Sequence, residues 1–247
     1  MALKAVLFDF NGVMLDDELI HRQLIEDILL AENLSVQRLD FQQYCLGRSD
    51  RTCLKDLLTS KGRVATEAYL EKLIASKAKA YIQQLDALEK LPLFPGLEDL
   101  IFKLRVAQIK MAVVSGALRS EVKEVLQRAK LAEYFPVIVA AEDTSVSKPE
   151  PTGYLLAMQR LAQKYPALKL KPTECLAIED TLTGIEAAKR AGIPVVGVAH
   201  TYPFHMLQRL ANWTVDYLHE LEIDRIQEVF TRPAKLTSQI PKPVQEV

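Results

Sequence analysis

Hydrophobic and polar positions along the chain fall into two alternating patterns. Short apolar runs that do not alternate with polar residues occur at Ala5–Phe8, Met111–Val114, Val137–Ala140, Leu176–Ile178 and Pro194–Val198. Each is bounded by turn-forming or acidic residues, as expected of strands buried on both faces of a parallel sheet. Between them apolar residues recur three and four apart, at Leu97, Leu100, Ile101 and Leu104, at Val122, Val125, Leu126 and Ala129, and at Leu155, Leu156 and Met158. Strands alternating with amphipathic helices predict an α/β fold, a Rossmann-like parallel sheet core with helices on both faces.

One segment departs from this rhythm. Between residues 16 and 90 there is no strand pattern, only helical periodicity over 19–30, 51–58 and 67–88, interrupted by loops at Asn33, Gly47 and Gly62. The pattern predicts an α/β core formed by residues 1–15 and 91–230, with an all-helical cap inserted over 16–90. The chain re-enters the core through Leu91-Pro92-Leu93-Phe94-Pro95-Gly96. Residues 231–247, with Pro233, Pro241 and Pro243 and few apolar anchors, predict a loose C-terminal tail.

Composition and charge narrow the function classes. A length of 247 residues suits one domain plus an insertion. The net charge of −1 gives no global basic field, so a nucleic-acid partner is not expected. No uncharged run approaches membrane-spanning length, and Asp9 follows Met1 too closely for a signal peptide. The expectation is a cytoplasmic protein without a membrane partner, a monomer or weak homodimer. Cys45, Cys53 and Cys175 have no metal-ligand spacing and cannot all pair, which predicts a reducing compartment.

The chemistry is expected where strands end, because open parallel sheets bind ligands at their carboxyl edge. The residues falling there are Asp9, Asn11, Ser115, Glu179 and Asp180, with Lys148 in the loop after the Val137 run. A carboxylate nucleophile, a hydroxyl, a lysine and an acidic pair suit phosphoryl transfer. Carboxylates hold Mg²⁺, lysine offsets phosphate charge, and an aspartate can accept the phosphoryl group. Taken singly, each has a plainer reading: a helix cap, a turn serine, a solvated lysine, the acidic first turn of a helix.

Four motifs in order resolve this. They are Asp9-Phe10-Asn11-Gly12-Val13 with Asp16-Asp17-Glu18 and His21; Val113-Val114-Ser115-Gly116; Ser147-Lys148-Pro149-Glu150-Pro151; and Ile178-Glu179-Asp180-Thr181-Leu182-Thr183-Gly184. The chain resembles the haloacid dehalogenase-like hydrolase superfamily, in its phosphoglucomutase-like and phosphatase branch with a helical cap. The resemblance implies a Mg²⁺-dependent phosphatase acting on a small phosphorylated metabolite. Asp9 would be nucleophile and metal ligand, Ser115 would bond the transferring phosphoryl group, and Lys148 would offset charge. Glu179, Asp180 and the Asn11 carbonyl would complete the metal site. His21, on the first cap helix, is structural or catalytic by this likeness; His200, His205 and His219 are structural or surface residues.

Two departures from the family matter. Its phosphotransferases carry a second Asp two residues after the nucleophile as general acid and base, and here that position is Asn11. An amide exchanges no proton near neutral pH, which forfeits a factor of about 10²–10⁴. The chain is then a slow or specialised phosphatase, a phosphate-ligand binding or regulatory protein on an enzyme scaffold, or one in which Asn11 is an introduced substitution. Asn11→Asp is expected to raise turnover by orders of magnitude under the first and third. Asp17, where the family has a small hydroxyl residue, is expected to be a solvated hinge residue.

The second departure lies in the cap. Leu46-Gly47-Arg48-Ser49-Asp50-Arg51 matches the loop with which such caps close over substrate, making Gly47, Arg48 and Ser49, with Gly116, candidate substrate-binding residues. In the sugar-phosphate mutases an Arg near this loop grips a second phosphate, whereas the residue after Ser49 is Asp50. This counts against a beta-phosphoglucomutase-like activity, the remaining alternative. No Schiff-base lysine of a phosphonate hydrolase can be placed among Lys55, Lys61, Lys72, Lys77 and Lys79.

Overall fold

The computed structural model describes residues 2–231. The expected tail, apart from Thr231, lies outside the described residues. In chain order the elements begin with β1 (Ala5–Phe8), α1 (Glu18–Ala31), α2 (Arg38–Tyr44), α3 (Asp50–Ser60) and α4 (Glu67–Asp86). There follow α5 (Leu97–Val106), β2 (Lys110–Val114), α6 (Arg119–Arg128), β3 (Val137–Val139) and α7 (Thr152–Lys164). The last are β4 (Cys175–Glu179), α8 (Leu182–Arg190), β5 (Val195–Val198), α9 (Phe204–Leu207), β6 (Trp213–Val215) and α10 (Ile223–Thr231).

The six strands form one parallel sheet in the order β3-β2-β1-β4-β5-β6. Strand order reverses at β1, with Phe8 opposite Val113 on one side and Ile178 on the other. The crevice at the carboxyl end of β1 is therefore the natural ligand site of the sheet. Alternate residues of each strand enter opposite layers, as a period of two requires. Val6, Phe8, Val113 and Ile178 pack with Leu100, Val122 and Ile226, whereas Leu7, Ala112, Val114 and Ala177 pack with Tyr154, Ala157 and Ile185.

Helices α1–α4 carry a third cluster of their own, including Ile25, Leu29, Phe41, Leu54, Leu57, Leu70 and Ile74. Ser49 and Thr66 begin α3 and α4 by accepting bonds on their side chains from the amides of Thr52 and Tyr69 in the first turn. Several elements escape the hydrophobic pattern, α9 and α10 near the end of the chain among them. Helix α2 buries only Phe41, so it has no periodic face, and β6 is a three-residue edge strand with no fully buried residue. The cysteines require a correction. Cys45 and Cys53 are joined in a disulfide across the loop between α2 and α3, and only Cys175 is a free thiol. Eight residues apart in sequence, they are brought to a Cα separation of 4.5 Å by the turn, within the range a disulfide bridges. The argument from cysteine usage to a reducing compartment therefore falls.

Candidate functional site

Asp9 leaves β1 with its side chain fixed from two sides. Its Oδ1 accepts the Phe10 amide at 2.8 Å and lies 2.9 Å from the Lys148 ammonium. Its Oδ2 has no protein partner among the described residues. Lys148 also reaches Glu179 Oε1 at 2.6 Å, where the Tyr154 hydroxyl donates as well. Burial alone would push the ammonium down, but the charges of Asp9 and Glu179 outweigh it and hold Lys148 above its ordinary range.

One lysine does not balance the acids collected here. Asp9, Glu179 and Asp180 each place an oxygen within 4.8 Å of the others. Burial first, then the neighbouring Asp9 charge, pushes Glu179 up to about 7. Asp180 is raised well above the carboxylate range by burial and by the charges of Asp9 and Glu179. Asp180 Oδ1 is buried without a partner, while Oδ2 accepts the Thr201 hydroxyl at 2.5 Å. Three crowded carboxylates and an orphaned buried oxygen suit a hard divalent cation, whose charge would relieve both burial and repulsion. Gly12 makes room for this arrangement: its φ is +76°, and a Cβ there would stand 1.9 Å from Asp180 Oδ2.

A second polar network lies beside Asn11. Its Nδ2 donates to Asp17 Oδ2 at 2.7 Å and stands 3.0 Å from His21 Nε2. Asp17 is fully buried rather than solvated, which overturns the sequence expectation. The same Oδ2 accepts the Tyr81 hydroxyl at 2.5 Å and faces His21 Nε2 at 3.2 Å. The Lys77 ammonium contacts His21 Nδ1 at 2.7 Å and Asp50 at 2.8 Å. Because an ammonium can only donate, Nδ1 accepts, and Nε2 carries the proton toward Asp17. Lys77 and Tyr81 were not singled out for this site by the sequence. Their signal is positional: Leu70, Ile74, Lys77, Tyr81 and Leu85 form the buried stripe of α4, and a lysine interrupts it.

A cavity between the helical insertion and the sheet brings most of the sequence-derived residues together. Asp9, Asn11, His21, Gly47, Arg48, Gly116, Lys148 and Asp180 line it. Ser49 and Ser115 line a neighbouring cavity, which Lys148 also borders. Glu179 is wholly buried beneath them. The two cavities meet where the loop crosses Gly116: a Cβ there would come within 2.9 Å of the Arg48 carbonyl oxygen. Arg48 pairs with Asp56 at 3.0 Å, and its Nε is buried without a partner. His200 is structural, donating from Nδ1 to the Gly12 carbonyl at 2.8 Å and stacking on Phe94.

The profile of the family described as haloacid dehalogenase-like hydrolase matches residues 6–198. The chain belongs to that family. Among its curated relatives, Protein CbbY of Rhodobacter capsulatus is 25% identical, covering 93% of this chain and all of its own. Beta-phosphoglucomutase of Bacillus subtilis is 28% identical, over 88% of this chain and 95% of its own. The crystal structure of CbbY from Rhodobacter sphaeroides with xylulose-(1,5)bisphosphate superposes with a TM-score of 0.77 at 24% identity, covering 90% and 96% of the two chains. At that identity the likeness speaks for the fold. The haloacid dehalogenase-like chain thus sits in the branch that holds phosphoglucomutases and phosphatases.

Proposed function

We propose that the protein is a divalent-cation-dependent phosphatase that transfers a phosphoryl group from a small metabolite to Asp9 and then to water. The observation that carries this reading is the state of Asp9: one oxygen is held by the Phe10 amide and Lys148, while the other is left open beside Glu179 and Asp180. Asp9 Oδ2 is the nucleophile. Lys148 holds Asp9 in position and offsets the charge of the incoming phosphate. Ser115, whose Oγ accepts the Ala117 amide at 3.0 Å, has its hydroxyl proton left for a phosphoryl oxygen.

Asp9, Glu179, Asp180 and the carbonyl of Asn11 would hold Mg²⁺, which supplies charge neutralisation for the phosphoryl oxygens. We place α1–α4 as a cap over residues 16–90, with Gly47, Arg48, Ser49, His21 and Gly116 around the rest of the substrate. Asn11 supplies no proton, so hydrolysis of phospho-Asp9 is slow. The purified chain with acetyl phosphate and Mg²⁺ is expected to release phosphate and to carry label on Asp9 that survives acid quenching. Asp9→Asn and removal of the cation by chelation should each abolish both. Unlabelled Asp9 and no phosphate at high enzyme concentration would refute the reading and favour a phosphate-binding protein.

A further inference from the structure

The walls of the cavity say what kind of molecule the phosphate is attached to. Opposite Asp9, the insertion contributes Ile25, Phe41, Leu46 and the Cys45–Cys53 disulfide, an apolar surface. Its charged groups there are paired at their termini, with only the buried Arg48 Nε left without a partner. Asp50 is held by Lys77, and Arg48 is paired with Asp56. A second phosphate on the substrate would meet the Asp50 and Glu18 carboxylates with Arg48 as the sole fully cationic side chain of the insertion lining the cavity. That is poor recognition for a dianion.

The polar groups beside Asn11 are engaged with one another rather than left free to protonate a departing oxygen. Both contacts of Asn11 Nδ2 are with Asp17 and His21, and its Oδ1 can only accept. His21 faces Lys77 and Asp17 through its two ring nitrogens. Glu18 also lines the cavity, with its carboxyl engaged by the Thr201 hydroxyl that also reaches Asp180. We propose that the substrate carries a single phosphate on an acidic oxygen, of the aryl, enol or acyl type, attached to an uncharged apolar body. This rests on the phosphatase reading above and narrows its substrate class.

The reaction balances without a protein acid. Asp9 Oδ2 bonds to phosphorus as the bond to the departing oxygen breaks, and that oxygen leaves with the electron pair as a stabilised anion. Water then bonds to phosphorus, Asp9 departs as carboxylate, and the water proton passes through solvent to the released anion. The sum is phosphate ester or acyl phosphate plus water giving the hydroxyl compound or carboxylic acid plus inorganic phosphate.

The test compares 1-naphthyl phosphate, benzyl phosphate and xylulose 1,5-bisphosphate by kcat/KM, with acetyl phosphate labelling of Asp9 in parallel. The naphthyl ester is expected to exceed the benzyl ester, an apolar alkoxide donor, by about 10²–10⁴-fold, and to exceed the bisphosphate as well. Leu46→Asn should raise KM for the naphthyl ester about tenfold, with an unchanged circular dichroism spectrum reporting that it folds. Benzyl phosphate within tenfold of the naphthyl ester, preference for the bisphosphate, or an unmoved KM in folded Leu46→Asn would overturn the substrate class while leaving the phosphatase. Absence of both turnover and label would overturn the phosphatase, and the substrate class with it.

Discussion

At position 11 the amide and its neighbour form a matched pair. Asp17 Oδ2 accepts from Asn11, Tyr81 and His21, and its Oδ1 is buried without a partner. Restoring an acid at position 11 alone would set two carboxylates in contact and remove one donor from a buried acceptor. Such unpaired acceptors cost about 1–3 kcal/mol, and like charges at this range do not both ionise freely. Asn11→Asp is therefore expected to lower Tm and to leave turnover within about tenfold of the parent, short of the full acid–base factor. Asn11→Asp combined with Asp17→Thr should recover about 10²–10⁴-fold, read as steady-state kcat with acetyl or benzyl phosphate. The sequence alone suggests the single change would suffice; the contact between residues 11 and 17 leads to the expectation that it will not. The Gly12 amide, which would have to attack the Asn11 side chain for cyclisation, is bonded to the Leu15 carbonyl at 2.8 Å, so deamidation at this Asn-Gly pair is expected to be slow.

Among the elements, β3 is pinned by charge as much as by pairing. Asp143 accepts the Arg160 guanidinium at 2.7 Å and the Ala140 amide at 2.8 Å, and pairs with Arg119. Both arginines also donate to the Ile138 carbonyl, tying α6 and α7 to the strand end. Burial would raise the Asp143 carboxyl, but the Arg160 and Ala140 bonds and the two guanidinium charges hold it below the usual range. Its contribution is thus present above the unfolded value near pH 4 and is lost as pH falls through the lower folded value. Asp143→Asn should cost about 1 kcal/mol at pH 7, with the difference from the parent shrinking below about pH 4 in urea titrations. The Cys45–Cys53 link is a second fastening. Opening this short loop by Cys53→Ser should destabilise the chain by about 2–3 kcal/mol, and thiol titration of the unfolded, unreduced parent should count one thiol.

Legibility in the sequence followed physical regularity at this same scale. Five of the six strands and the large helices were visible because they bury whole faces, as Val6–Phe8 and the α4 stripe do. The acids at strand ends were visible because topology alone puts Asp9 beside Glu179. Helix α2 and β6 were not, since neither buries a periodic face. Nor could spacing reveal that Asp17 turns inward, because three donors from Asn11, His21 and Tyr81 meet it only after α1 and α4 pack together.

For the whole molecule, the decisive boundary runs between the helical insertion and the sheet. The Arg48–Ser49 backbone lies directly on Gly116, and the Ser49 amide donates to Ser147 Oγ at 2.9 Å. A Cβ at position 116 would stand 2.9 Å from the Arg48 oxygen and 3.0 Å from the Ser49 nitrogen, closer than backbone tolerates. Gly116→Ala should therefore wedge this boundary apart at a cost of about 1–3 kcal/mol. The expected readouts are a higher KM for 1-naphthyl phosphate and faster tryptic cleavage after Arg48 and Arg51. Unchanged values of both would mean the boundary gives way elsewhere.

The backbone-on-backbone contact at Gly116 also sets a clock. Arg48 and Ser49 line or border the cavity where they lie on Gly116, so lifting them from the sheet is expected to widen the path by which product leaves. Departure of the hydroxyl product and entry of the attacking water then share one path. Rapid-mixing records should accordingly show a first release of hydroxyl product ahead of the steady rate set by phospho-Asp9 hydrolysis, and a Gly116 wedge that eases the entry of water should narrow the difference between them.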